Sequence, residues 1–162
     1  DDLKATSKVE GVYTAKKESI SPPSGKIDAI ERKVIGILWW QKGNKLADRD
    51  VDVKEVEKRA KEILGKRMQE LEERLEKEKE VLLFETESYY NNKDNLKREI
   101  DELLLGLEEE YLKKDLTTAM ISLQKAEQTK NSEEVLRFLE ECQRISQKIN
   151  TIKTIKNSYD KA

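Results

Sequence analysis

The side chains able to do chemistry in this chain are nearly all carboxylates, lysines and arginines. Their densest run is "LEEEYL" at residues 107–112, where Glu108, Glu109 and Glu110 stand in a row. Convergent carboxylates could hold a divalent metal or act as an acid–base pair. Three successive helical residues instead point about 100° apart, so a solvated charged face is expected here. The chain has no histidine. That removes the usual general base, the Ser-His-Asp arrangement and the histidine ligands of zinc or helical di-metal sites. The single cysteine, Cys142, lies in an apolar stripe and reads as a small packing residue. One cysteine makes neither an internal disulfide nor a cysteine zinc site. The six glycines are scattered singly, so there is no glycine-rich phosphate loop. No cofactor and no metal are expected, and the chain reads as non-catalytic. A carboxylate-rich helical enzyme is the reading that the missing histidine argues against.

The surrounding composition is that of long, exposed helices: abundant Lys, Glu, Leu and Ile, with only two prolines in 162 residues. The 32 basic and 34 acidic residues interleave and leave a net charge of -2. Without a basic face or a basic balance, direct nucleic-acid binding is not expected. The longest apolar run, "VIGILWW", is too short to cross a bilayer, and nothing resembles a signal peptide. No membrane contact and a cytoplasmic location are therefore expected.

Along the chain, residues 1–26 have no helical period and contain both prolines; they read as a flexible linker or tail. The opening "DDLKATSK" lacks an initiator methionine and is expected to continue a linker from something upstream. Residues 27–41 carry the first helix, with Ile27, Ile30, Val34, Ile37 and Leu38 in one stripe. Trp39 and Trp40 are adjacent and point apart; one is expected in the core and the other at its rim, with Trp40 a candidate partner anchor. "KGNKLADRD" breaks this helix at Gly43 and Asn44, and Asp50 or Asp52 caps the next one. Val53, Val56, Ala60, Ile63, Leu64, Met68, Leu71, Leu75 and Leu82 then recur at helical spacing, with Gly65 a stop or a kink. "NNKDN" at 91–95 is a turn with Asp94 and Asn95 as capping candidates.

From Leu96 a long helix is expected. Its stripe runs Leu96, Ile100, Leu103, Leu104, Leu107, Tyr111, then continues with an offset through Leu112, Leu116, Ala119, Met120, Leu123 and Ala126. The offset implies a bend or a change of buried face near 111–116. "TKNSEE" at 129–134 is a tight turn with Asn131 or Ser132 as cap. A last helix follows from about Glu133 into the Ile152 region, with the narrow stripe Cys142, Ile145, Ile149 and Ile152. Long helices joined by so short a turn are antiparallel neighbours. The expected fold is thus all-α: a helical bundle over 27–95, a long antiparallel helical hairpin over 96–157 and a tail at 158–162.

The order of these pieces resembles a known family. "IERKVIGILWWQ" (residues 30–41) and the stretch from "REIDELLLGLEEEYL" to "FLEECQRISQKI" (residues 98–149), with its Ala126-Glu127 pair, are similar to the C-terminal helicase-binding domain of bacterial DNA primase. The charged middle at 50–82 and the doubled tryptophan depart from that family's pattern. The resemblance implies a bundle followed by a hairpin. It also implies docking on the N-terminal domain of the replicative DNA helicase during priming, without catalysis by this part of the chain. The partner-binding candidates are then Leu123, Leu136, Phe138 and Leu139 around the distal turn, together with Trp40. Val135 and Leu139 are expected to pack within the hairpin, leaving Leu136 or Phe138 for the partner. A monomer is expected. The alternative is a self-associating coiled coil whose seam is the 53–82 stripe, although its heptads are short and Glu78 interrupts them.

Overall fold

A computed structural model describes residues 22–43 and 51–161, and all regular structure among them is helical. Six α-helices follow in order: α1 Pro22–Gly43, α2 Val53–Leu64, α3 Arg67–Leu75, α4 Lys79–Tyr90, α5 Leu96–Gln128 and α6 Ser132–Lys161. A 3₁₀ turn at Glu76–Glu78 joins α3 to α4. The first four helices and the start of α5 share one apolar core, while α5 and α6 form a long antiparallel hairpin with a seam of its own. The all-α class and the order of bundle, then hairpin, agree with the sequence. The tail at residues 1–21 and the breaker around Asn44 and Asp50 lie outside the described residues.

The centre of the bundle is α1, which packs against α2, α3, α4 and α5. Its second half is apolar all round and is accordingly buried all round: Val34, Ile35, Ile37, Leu38, Trp39 and Trp40 all sit in the core. Gly36 lets α4 come close. A Cβ there would overlap Thr86 Oγ1 and stand 3.1 Å from Leu82 Cδ1. Both tryptophans are covered, which corrects the expectation of one at the rim. Lys79 Nζ lies 5.2 Å over the Trp39 ring, and Trp40 stacks on Tyr90 with centroids 6.4 Å apart.

The run at 53–82 is not one helix. Asp52 caps α2, its Oδ1 accepting from the Glu55 amide at 3.1 Å. Gly65 ends it in the left-handed region at φ 57°, its amide donating to the Lys61 carbonyl at 2.8 Å. Val56, Ala60, Leu64, Leu71, Leu75 and Leu82 then fall on α2, α3 and α4, and all of them point into the same core. The coiled-coil seam is therefore occupied within the chain.

Two boundaries shift. Helix α1 starts at Pro22 rather than after residue 26. A proline suits the first helical turn, where its missing N–H has no partner to lose. Helix α6 runs to Lys161, so the expected tail from residue 158 is helical as far as Lys161. Contacts to α5 hold it: the Arg98 guanidinium donates to the Tyr159 carbonyl and lies 5.6 Å from the Tyr159 ring centre.

Candidate functional site

The distal end of the hairpin is built by its turn. Helix α5 is capped at its start by Asn95, whose Oδ1 accepts from the Arg98 amide at 3.2 Å. It then runs unbroken to Gln128. At its end the Lys130 amide donates to the Glu127 carbonyl at 3.2 Å and the Asn131 amide to the Ala126 carbonyl at 3.1 Å. This pair of bonds is a Schellman closure, and it places Lys130 at φ 58°. Asn131 Oδ1 accepts from the Glu134 amide at 3.2 Å and starts α6. The chain thus reverses in three residues, and the helices must run antiparallel.

Below the turn the seam is narrow. Ala119, Ile145 and Ile149 are buried, with Leu112, Leu116 and Cys142 packed beside them. The stripe at the end of the chain therefore faces α5. The offset near 111–116 is a change of buried face: Leu96, Ile100, Leu104 and Leu107 enter the bundle core, whereas Leu112, Leu116 and Ala119 enter the seam.

A two-helix seam covers one stripe per helix, and apolar residues beyond it stay exposed. Leu136 is 59% exposed and Leu139 42%. Together with Val135, Ser132, Glu127 and Lys130 they line a shallow groove beside the turn. Met120, 56% exposed, lies two helical turns before Glu127 and so on the same side of α5. Leu123, half-buried, lies between them. The structure brings Leu136 and Leu139 together in that groove, while Leu123 and Met120 lie further back along α5. Val135 is half-buried as expected, but Leu139 is not packed away within the hairpin. Phe138 is half-buried, with the Arg137 guanidinium 4.6 Å over its ring. Trp40, 5% exposed in the bundle core, offers a partner no surface and leaves the set of candidates.

The charged run at 108–110 is the second correction. Glu109 is buried and Glu110 half-buried, so this is not a solvated face. Glu109 Oε1 accepts from Lys156 Nζ at 2.8 Å, and Lys113 Nζ lies 3.4 Å from its other oxygen. Glu110 pairs with Lys26 of α1 at 3.2 Å. The residues do diverge, as successive helical residues must; Glu109 turns to α6 and Glu110 to α1. Burial pushes the Glu109 pKa up, but the hydrogen bond and charge of Lys156, with those of Lys113, outweigh it and hold it below its usual 4.5.

Sequence reasoning missed Glu31 entirely. It sits one turn before the apolar half of α1 and is 1% exposed. Its carboxylate accepts from Arg67 Nε at 3.1 Å and Arg67 Nη2 at 3.0 Å, and from the Tyr111 hydroxyl. Burial raises its pKa, while Arg67 and Tyr111 more than offset this and leave it below 4.5. The one available signal was a lone glutamate inside the most apolar helix.

Among the described residues no three His, Cys, Asp or Glu side chains group so as to hold a metal ion, and no helix is long and apolar enough to cross a membrane. Compared with protein-family models, curated proteins and solved structures, the chain matches none.

Proposed function

We propose that this chain is a non-catalytic helicase-binding module of the bacterial primase type, which docks on the N-terminal domain of a replicative DNA helicase in the cytoplasm. The observation that carries this reading is the apolar side of the distal hairpin, where Met120, Leu136 and Leu139 stand exposed. Exposed leucines in a groove at a hairpin end favour a protein partner over solvent. The bundle-then-hairpin architecture is the one the resemblance implies. The module tethers through that surface and itself supplies no reacting group, cofactor or metal. It docks as a monomer and makes no direct contact with nucleic acid. Burial of the 53–82 leucines inside the bundle argues against self-association through that stripe.

The test is a pull-down of the chain against the N-terminal domain of the same organism's replicative helicase. Leu136→Ala is expected to abolish or strongly weaken capture with helical circular dichroism unchanged. Phe138→Ala, at a half-buried ring, is expected to weaken it less. A folded, monomeric wild-type chain that captures no helicase domain would overturn the proposal. A dimer by light scattering would favour the self-associating alternative.

A further inference from the structure

Three consecutive residues of α5 tie it to three different places. Glu109 reaches Lys156 on α6 at 2.8 Å. Glu110 reaches Lys26 at the start of α1 at 3.2 Å. Tyr111 donates its hydroxyl to Glu31 in the middle of α1, and the same carboxylate takes two hydrogen bonds from Arg67 of α3. Successive helical side chains fan out by about 100°, so these ties encircle the helix like a collar.

The collar stands where α5 changes its buried face. Leu107 is fully buried in the bundle core and Tyr111 packs against that core, while Leu112 is the first residue of the hairpin seam. Beyond Tyr111, α5 continues through Gln128, a rod of about 25 Å. A tilt of about 10° at its base would move the end of such a rod by about 4 Å. Apolar contact is non-directional and tolerates such a tilt. Hydrogen bonds weaken steeply when their angles change.

We infer that Glu31 is a positioning residue: its carboxylate, shared between Arg67 and Tyr111, fixes the direction in which the hairpin leaves the bundle. Stability alone does not require a charge there, since well-packed apolar side chains fill such a site at least as well as an ion pair. What the shared carboxylate adds is one geometry among three helices. Tyr111→Phe removes the hydroxyl and keeps the ring, and so loosens the joint with little loss of packing.

The experiment is a pulsed electron–electron distance measurement on the whole chain. Spin labels go on Lys58→Cys in the bundle and Gln128→Cys at the hairpin end, in a Cys142→Ala background. The parent is expected to give one narrow distance. Tyr111→Phe is expected to broaden or shift it, with helical circular dichroism intact and the melting temperature lowered only by what one lost hydrogen bond removes. Glu31→Gln is expected to do the same. Trp40→Phe, a core change nine residues beyond Glu31 along α1, is expected to leave the distance unmoved even though it also lowers stability. A parent with a broad distribution, or a folded Tyr111→Phe chain with the parent's narrow one, would overturn the inference. Should Glu31→Gln fail to fold, Tyr111→Phe alone decides. No partner is involved, so this outcome is independent of the docking proposal.

Discussion

The bundle and the hairpin are built from the same few residue types, yet they finish with different surfaces. In the bundle, helices meet α1 from four neighbours, and leucines and isoleucines from every element end below 9% exposure. Even its two tryptophans are covered. In the hairpin, two helices meet along one line, and the buried seam beyond the bundle rests on Ala119, Ala126, Ile145, Ile149 and Ile152. Met120, Ile121, Leu136 and Leu139 remain 42–59% exposed. Two helices alone have too few faces to cover their own leucines. The hairpin's exposed leucines follow from its having only two helices, whereas the exposed apolar residues of the bundle, Val81, Phe84 and Tyr89, all lie on α4.

The largest expected effect sets the two regions against each other directly. Leu107, with no exposed surface, anchors the bundle end of α5. Leu107→Ala should lower unfolding stability by about 3–4 kcal/mol, as a large-to-small change in a closed core does. Leu136→Ala should change it by less than about 0.5 kcal/mol. Urea titrations followed by circular dichroism check both. The comparison breaks if Leu136→Ala costs as much as Leu107→Ala, since the exposed leucine would then be carrying hairpin stability rather than standing free.

An intermediate effect concerns charge. Glu31 on the bundle side and Glu109 on the hairpin side both keep pKa values below 4.5 despite burial, because cations hold them ionised. A carboxylate depressed by folding contributes stability that is full above its unfolded value and is lost as pH falls through its folded value. The domain should therefore be markedly less stable near about pH 3 than at neutrality. Glu31→Gln should be less stable than wild type at neutral pH, yet lose less on acidification. Glu109→Gln should flatten the acid limb in the same sense. Urea midpoints across the acid range read out each region's share, and an unchanged acid slope in Glu31→Gln would show that its carboxylate is not held ionised by Arg67.

Much of this was legible in the sequence. Caps are local, so residue type alone narrowed each to two candidates, Asp50 or Asp52, Asp94 or Asn95, and Asn131 or Ser132, of which Asp52, Asn95 and Asn131 cap. The seam was readable because Cys142, Ile145 and Ile149 are the apolar residues of an otherwise polar stretch. Trp40 was misjudged because two adjacent tryptophans diverge on their own helix; only the tertiary fold shows that α4 brings Tyr90 to the second one. Glu109 and Glu31 were invisible for the related reason that their partners, Lys156 and Arg67, lie 47 and 36 residues away. Periodicity reports which face of a helix is apolar. It does not report that a second helix arrives on the polar one.

The smallest expected effect compares two turns. The bundle and the hairpin each place one residue in the left-handed region, at φ 57° and φ 58°. The bundle uses Gly65, for which that conformation carries no steric penalty. The hairpin uses Lys130, whose Cβ makes a positive φ unfavourable. Lys130→Gly should accordingly stabilise the chain, by about 1 kcal/mol, without touching the seam. A thermal melt measures it. A gain would mean that the hairpin end keeps a strained lysine where glycine fits better, beside Leu136 and Leu139 in the same groove. Helicase capture by the same variant then sharpens the comparison: weaker capture by a more stable chain would place the lysine side chain in the docking surface, and unchanged capture would confine that surface to its leucines.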